Sequence, residues 1–572
     1  MPTILAQLDH ILRQAIRQVF DLEAPAVVGV SQNEKFGDYQ SNAPMGLVKP
    51  VSEKTGSKAN PRAIAEQIKA KLEPLLEGMA SEISIAGPGF INIRLAPAWL
   101  ASQLNAIAGN KRLGVETAAN PQIVVVDYSG PNVAKQMHVG HLRPTNIGDA
   151  IARILEFQGQ RVIRQNHIGD WGTQFGMLVA FLDESGSAQT EHLSDLEALY
   201  RAAKVRYDED PAFAERARQV VLRLQSGEAH ERQQWQKIIE QSRKHFQAIY
   251  QRMDISLSPA DERGESFYNP VLPDVVDELR KSGVAVESQG AIVVWVEGFE
   301  APLMVQKTGG GFGYATTDLA ALRYRIRELH AQRVIYVTDA RQIQHFTQFF
   351  AAAKKAGWTN GVELDHVTFG TILGPDGKPF KTKSGDNVKL NELLDEAEER
   401  AFRVVSEKSP ELPEAQKRAI AHAVGIGAIK YADLARDWIG NYVFDWDKML
   451  ALDGNTAPYL QYAHARIRSI FRKAADAQIG PISLSAPHEL SLAKHILRLG
   501  EMLDLVAREL KPHHLCTYLY ELATRFSGFY ENCPVLQSEA ATRASRLGLC
   551  DLTARTLELG LDLLGIEHPD QM

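Results

Sequence analysis

At 572 residues the chain exceeds a single hydrophobic core, and roughly 150 residues per domain predicts three or four domains. A composition 45% hydrophobic and 23% charged excludes a disordered chain or a fibrous repeat; a net charge of −7 excludes nucleic-acid binding through global positive charge, though not through a local basic surface. Cys516, Cys533 and Cys550 lack the close pairing of a zinc site, and neither a secretory signal layout nor a long uncharged apolar run occurs, so the expectation is a cytoplasmic protein with no membrane segment and no zinc.

The elements, in chain order, fall into blocks. Residues 1–110 open on an amphipathic helical pattern, pass through FGDYQSNAPMGLVK and reach a turn-and-strand signal, GPGFINIRL (87–95). A polar stretch, NKRLGVETAANPQ (110–122), reads as a linker. IVVVD (123–127) is a short β-branched run of the kind found in a buried parallel strand. RVIRQNHIG (161–169), AIVVWV (291–296), RVIYVTDA (333–340) and HVTFGTIL (366–373) follow as further strand signals separated by helices, which predicts one doubly wound sheet. A charged helical stretch near 190–255 interrupts them as an insertion, and from about Leu390 strand signals stop.

The first chemical signature follows the 123–127 strand. A loop with Gly130-Pro131-Asn132 leads to His138-Val139-Gly140-His141 and then to a helix whose apolar face carries Ile147, Ile151, Ile154 and Leu155. A helix start offers unpaired N–H groups to a phosphate, Gly140 lets a nucleotide approach the backbone, and two imidazoles three residues apart can donate to phosphoryl oxygens. A bare H-x-G-H is weak evidence, but its place between a buried strand and a helix start favours a nucleotide site.

The segment resembles the HIGH box of class I aminoacyl-tRNA synthetases. The longer string DYSGPNVAKQMHVGHLR (127–143), continued by QNHIGDWGTQFGML (165–178), resembles the arginyl-tRNA synthetase version, and the likeness covers nearly the whole chain. One departure is Pro144, where the family usually has Ser; the first helical turn tolerates it because its N–H groups lack partners. The resemblance implies a multidomain α/β protein: a 1–110 N-terminal α+β domain contacting tRNA, a Rossmann-like parallel-sheet catalytic domain over 118–390, a helical connection over 391–450 and an all-helical anticodon-binding domain over 451–572.

The second signature is GPDGKPFKTKSGDNVKL (374–390), whose Lys378, Lys381 and Lys383 can gather around one polyphosphate. Alone, such a turn is an ordinary solvated loop. Phe380-Lys381-Thr382-Lys383-Ser384 resembles the class I KMSKS box, with Phe380 in place of the first lysine; family members with such degenerate boxes carry a lysine just before the first box, which matches Lys135. The resemblance thus implies Lys135, His138, His141 and Lys383 as catalytic groups. It implies ATP binding by His138, Gly140, His141, His345, Lys381, Thr382, Lys383 and Ser384.

A site selecting a guanidinium needs carboxylates and neutral acceptors near strand ends. Asp127 ends the first strand, Asn132 follows in the loop, and Tyr314 and Asp318 flank a helix start that Thr316 or Thr317 is expected to cap, with Leu319, Leu322 and Ile326 on its buried side. Gln342 and His345 follow the 333–340 strand. Taken singly, Asp318 fits a helix-dipole role and Asp127 a turn equally well; the resemblance implies arginine binding by Asp127, Asn132, Tyr314, Asp318 and Gln342. In 454–474, Arg468 and Arg472 lie four apart and can make a basic helix face, while Tyr459 and Tyr462 stack on bases or pack internally. The resemblance extends tRNA contacts to these and to FGDYQSNAP (36–44). It implies L-arginine, ATP with Mg2+ and tRNA(Arg) as substrates, arginyl-tRNA, AMP and diphosphate as products, and a monomer with no bound metal of its own.

Overall fold

The computed structural model describes residues 1–185, 196–381, 388–474 and 478–572. The helix Ile4–Phe20 is capped by Thr3 and buries Leu8, Leu12, Ala15 and Ile16 along one stripe. With helices Ala43–Thr55 and Pro61–Leu75 it packs on an antiparallel sheet of β1 (Val28–Val30), β2 (Tyr39–Ser41), β3 (Ala80–Ala86) and β4 (Phe90–Leu95), in the order β1-β2-β4-β3. The linker stretch 110–122 holds neither helix nor strand.

The central sheet is parallel throughout. β5 (Ile123–Asp127) lies between β6 (Arg161–Gln165) and β10 (Arg333–Asp339), with β11 (Glu363–Phe369) on the far edge. Its faces are both covered: Val124 and Val126 of β5 join one core and Val125 the other, as the period of two requires. Three of the expected strands are therefore in this sheet, together with the start of the fourth.

AIVVWV is not in it. Ala291–Val294 forms β8 of a separate antiparallel sheet with β7 (Val286–Ser288) and β9 (Leu303–Gln306). Gln289 and Gly290, both at positive φ (51° and 77°), make the two-residue turn that sets this hairpin. A short apolar run signals burial on both faces without signalling the direction of its partner, which is why the sequence misplaced it. HVTFGTIL also divides: β11 stops at Phe369, and Ile372–Leu373 pairs in parallel with Tyr442–Val443. That two-residue strand also corrects the expectation of no strand beyond Leu390.

The insertion is helical over Leu196–Glu209, Pro211–Ser226 and Ala229–Arg252. Beyond the sheet come helices Leu390–Lys408, Glu414–Leu434, Ala457–Ala474, Pro487–Ile496, Leu499–Glu509, His513–Asn532 and Ala540–Leu563. They share one continuous core with one face of the central sheet, running from Val124 through Leu394 and Ile429 to Leu557. The helical region is thus welded to the sheet rather than hung on a linker.

Candidate active site

The first signature sits where β5 ends. The loop after it holds Ser129 and Ala134 at positive φ (74° and 62°), a conformation that costs energy and persists because neighbours fix it. Gly130 N donates to Asn166 Oδ1 at 3.0 Å, and Ala134 N to Ser242 Oγ at 3.0 Å. Asn132 bridges to Gly169, where a Cβ would stand 2.3 Å from Asn132 Oδ1 and displace that amide; Asn132 is exposed in the loop beyond the strand end.

His138 precedes a single 3-10 turn, Val139–His141, and the long helix begins at Leu142. His138 Nδ1 accepts from Gly140 N at 3.1 Å, and His141 Nδ1 accepts from His138 N at 3.1 Å. A ring nitrogen that accepts carries no proton, so each neutral imidazole keeps its proton on Nε2. Burial lowers the pKa of His138, with Lys135 and Arg341 adding to it; burial and then His138 lower that of His141 to about 3. Near neutral pH the pair therefore presents two uncharged N–H donors, ring centroids 4.1 Å apart. Gly140 is needed between them, since a Cβ there would lie 2.8 Å from His138 Cε1. Ile147, Ile151, Ile154 and Leu155 are all buried as expected. Pro144 is the third residue of the helix, and its neighbour Thr145 donates to His141 O at 2.7 Å.

The lysine loop is anchored at both ends. Leaving it, Val139 N donates to Val388 O and Leu390 N to Met137 O, both at 2.9 Å, so the chain after the loop is pinned to the segment bearing His138. Approaching it, Phe380 stacks on Phe444 at 4.8 Å and 14°. The residue standing where a first lysine was expected is thus a packing anchor. Lys378 and Lys381 are exposed; Thr382, Lys383 and Ser384 lie outside the described residues. Lys135 is exposed beside the first box, its Nζ 5.1 Å from the Tyr200 ring centroid.

The expected arginine residues gather at the adjoining strand ends, with several differences. Asp127 is already paired, at 2.8 Å, with Nη2 of Arg325, a fully buried arginine that also donates to Gln165 Oε1 at 2.6 Å. Helix Tyr314–Arg327 is capped by Gly313, not by Thr316 or Thr317: Thr316 bonds Val305 O and Thr317 bonds Gly313 O. Leu319 and Leu322 are buried and Ile326 half-buried. Tyr314 is 75% exposed at the helix start, one turn before the half-buried Asp318. His345, expected at the nucleotide, instead meets Asp318 Oδ2 with its Nε2 at 2.6 Å, because the helix after β10 lies against Tyr314–Arg327. Gln342 is exposed in the turn Ala340–Gln342 that follows β10.

Sequence reasoning missed Glu265. Burial, then Asp170 and Asp318, push its carboxyl up to about 8. Asp170 is itself held by Ser266, whose N and Oγ donate at 2.8 and 2.6 Å. Glu265, Asp170 and Asp318 are therefore close enough to repel one another, and burial above all holds Glu265 toward its neutral form. In DERGES (261–266) the only signal was a charged turn.

The proposed RNA residues fare differently. Arg468 is bonded to Glu558 and, at 3.3 Å, to His464 Nε2, so the basic face expected of it is shared with an internal carboxylate. His464, Glu558 and His568 have metal-ligand spacing, but the Arg468 guanidinium already supplies the cation there. Arg472 donates to Asp570 O at 3.1 Å. Tyr459 is half-buried, 5.8 Å from Tyr520, whereas Tyr462 is 45% exposed. In FGDYQSNAP, Asp38 pairs with Lys494 at 2.6 Å and Tyr39 OH donates to Glu501 at 2.7 Å, leaving Phe36 outward.

Three family models match the chain in order: an arginyl tRNA synthetase N-terminal domain over 6–95, a class I (R) tRNA synthetase catalytic domain over 103–446, and a DALR anticodon binding domain over 460–572. The chain is 52% identical over 596 residues to an arginine–tRNA ligase of Synechococcus sp., covering all of both chains. It is 52% identical over 562 residues to that of Laribacter hongkongensis, covering 96% of each. Among solved structures, arginyl-tRNA synthetases of Plasmodium falciparum (TM-score 0.87, 33% identity) and Thermus thermophilus (TM-score 0.83, 26% identity) match with full coverage of both chains. From its strand-end histidine pair to its helical C-terminal third, the chain belongs to the class I arginyl-tRNA synthetase family.

Proposed function

We propose that the arginine–tRNA ligase activity of this family is carried here by two neutral histidines facing a carboxylate-lined pocket across the ends of β5 and β10. The observation that supports this most is the tautomer of His138 and His141: both Nδ1 atoms accept backbone N–H groups, so both Nε2–H groups are donors. In the first step the arginine carboxylate attacks the α-phosphorus of ATP. A P–O bond forms, the bond to the diphosphate leaving group breaks, and arginyl-adenylate results. His138 and His141 donate to the non-bridging oxygens as charge accumulates, and Lys135 and Lys383 neutralise the polyphosphate with its Mg2+. In the second step the terminal 2′-hydroxyl of tRNA(Arg) attacks the carbonyl carbon and AMP leaves.

Asp318 and Glu265 receive the guanidinium, whose planar fork suits two carboxylates. His345 orients Asp318. The remaining oxygen of Asp127, with Asn132 and Gln342, serves the amino and carboxylate end, and Tyr314 covers the side chain. Lys381, Thr382 and Ser384 serve the ATP phosphates alongside Lys383. The protein acts as a monomer, with tRNA lying along Tyr459, Tyr462 and Arg472.

Amino-acid-dependent ATP–pyrophosphate exchange, with and without tRNA(Arg), tests this across a panel of amino acids. Exchange is expected with arginine plus tRNA and with no other amino acid. Exchange driven by a different amino acid, or none with arginine and tRNA, would overturn the reading.

A further inference from the structure

Arg143 follows His141 by two residues, yet it is 1% exposed and turned away from the nucleotide face. Its Nε donates to Asp433 Oδ1 at 2.8 Å, and its Nη1 donates to Gly370 O at 2.8 Å and Gly440 O at 3.0 Å. Its guanidinium lies 5.7 Å from the Phe369 ring and 5.4 Å from that of Tyr442. These partners have distinct addresses. Asp433 is at the end of helix Glu414–Leu434, Gly440 lies in the turn beyond it, and Gly370 stands between β11 and the Ile372–Leu373 strand that leads to Lys381.

The same joint is closed by backbone. Gly370 N donates to Trp438 O at 3.0 Å, Thr371 N to Asn441 Oδ1 at 2.6 Å and Phe444 N to Leu373 O at 2.8 Å. A Cβ on Gly370 would lie 2.6 Å from Asn441 Oδ1, so only glycine permits this approach. The root of the lysine loop thus rides on residues 437–444, while its far end rides on Met137–Val139. One guanidinium, on the helix that begins just after His141, ties the first attachment to the second.

We infer that Arg143 is a positioning residue that fixes the Ile372–Leu373 strand, which leads to Lys381, relative to the histidine pair, and so tunes turnover of ATP. A buried ion pair is weak evidence for stability, because well-packed apolar residues serve as well. A fork reaching three acceptors at once does what an apolar cluster does not: it fixes their separations. The inference rests on the ATP-dependent activity proposed above.

The test uses the full chain and two variants. Arg143→Lys keeps a cation for Asp433 but cannot reach both carbonyls from the same position. Asn441→Ala loosens the same joint at an exposed residue and leaves the core intact. Exchange with arginine and tRNA is measured with ATP and arginine varied separately. Arg143→Lys is expected to lower kcat about tenfold or more and raise the KM for ATP, with the arginine KM within about twofold; Asn441→Ala moves the same way by about threefold. Wild-type rates in the folded variants, or equal losses in ATP and arginine parameters, would overturn the inference. If Arg143→Lys does not fold, Asn441→Ala alone decides. A wild-type protein that shows no exchange would instead refute the activity itself.

Discussion

A guanidinium is selected by carboxylates, and the carboxylates here are in unequal states. Glu265 is held near a pKa of about 8 by burial and by Asp170 and Asp318, so it is largely protonated at pH 7 in the free protein. In the unfolded chain it would ionise near the ordinary 4.5. The folded state therefore binds the extra proton, and its contribution to stability is present below pH 4.5 and lost as pH rises through 8. A bound guanidinium favours the charged carboxylate and reverses this preference. Calorimetry of arginine binding at pH 7 in buffers of different ionisation enthalpy should show close to one proton released per arginine, fading as pH rises through 8 and absent in Glu265→Gln. Binding without proton release at pH 7 would remove Glu265 from the pocket. The two histidines give no such signal in this range, because burial first, and then charged or ionisable neighbours, keep them neutral.

At the scale of elements, the lysine loop depends on what holds its root. Phe380 stacks on Phe444, and such aromatic pairs contribute about 0.5–1.5 kcal/mol beyond their buried area. Phe380→Ala should raise the KM for ATP about threefold to tenfold in exchange, with little effect on the KM for arginine. Phe380→Lys, although it restores the lysine of the class I box, should do no better. An exchange rate in Phe380→Lys above the wild type would show that the missing charge, not the anchor, matters.

Which elements the sequence revealed follows from the physics of each signal. IVVVD coincides with β5 because four β-branched apolar residues ending in a carboxylate leave few alternatives. AIVVWV carried an equally strong burial signal, but its partner was decided by a turn at Gln289 and Gly290. Asp318, Tyr314 and Gln342 could be named as candidates from family motifs. Glu265 could not, because its meaning comes from Asp170 and Asp318, far along the chain. Nothing in the sequence marks Arg143 or Arg325 for burial, and only the folded chain shows their partners. For Arg468, helical spacing suggested a basic face, and in the fold Glu558 reaches it from another helix.

For the whole molecule, shared packing is the governing fact. The C-terminal helices and the central sheet have one core, and Glu501 joins the N-terminal domain to them by accepting from Tyr39 OH at 2.7 Å and Leu5 N at 2.9 Å. The same packed body carries Trp438, Tyr442 and Phe444 and the strand at the root of the lysine loop. Charging of tRNA tests the account as a whole. Purified protein, ATP with Mg2+, arginine and a tRNA(Arg) transcript should give a tRNA heavier by one esterified arginine, with AMP and diphosphate in equal amounts, and His138→Ala with His141→Ala should abolish it. Esterification by another amino acid, or undiminished charging by the double variant, would contradict it.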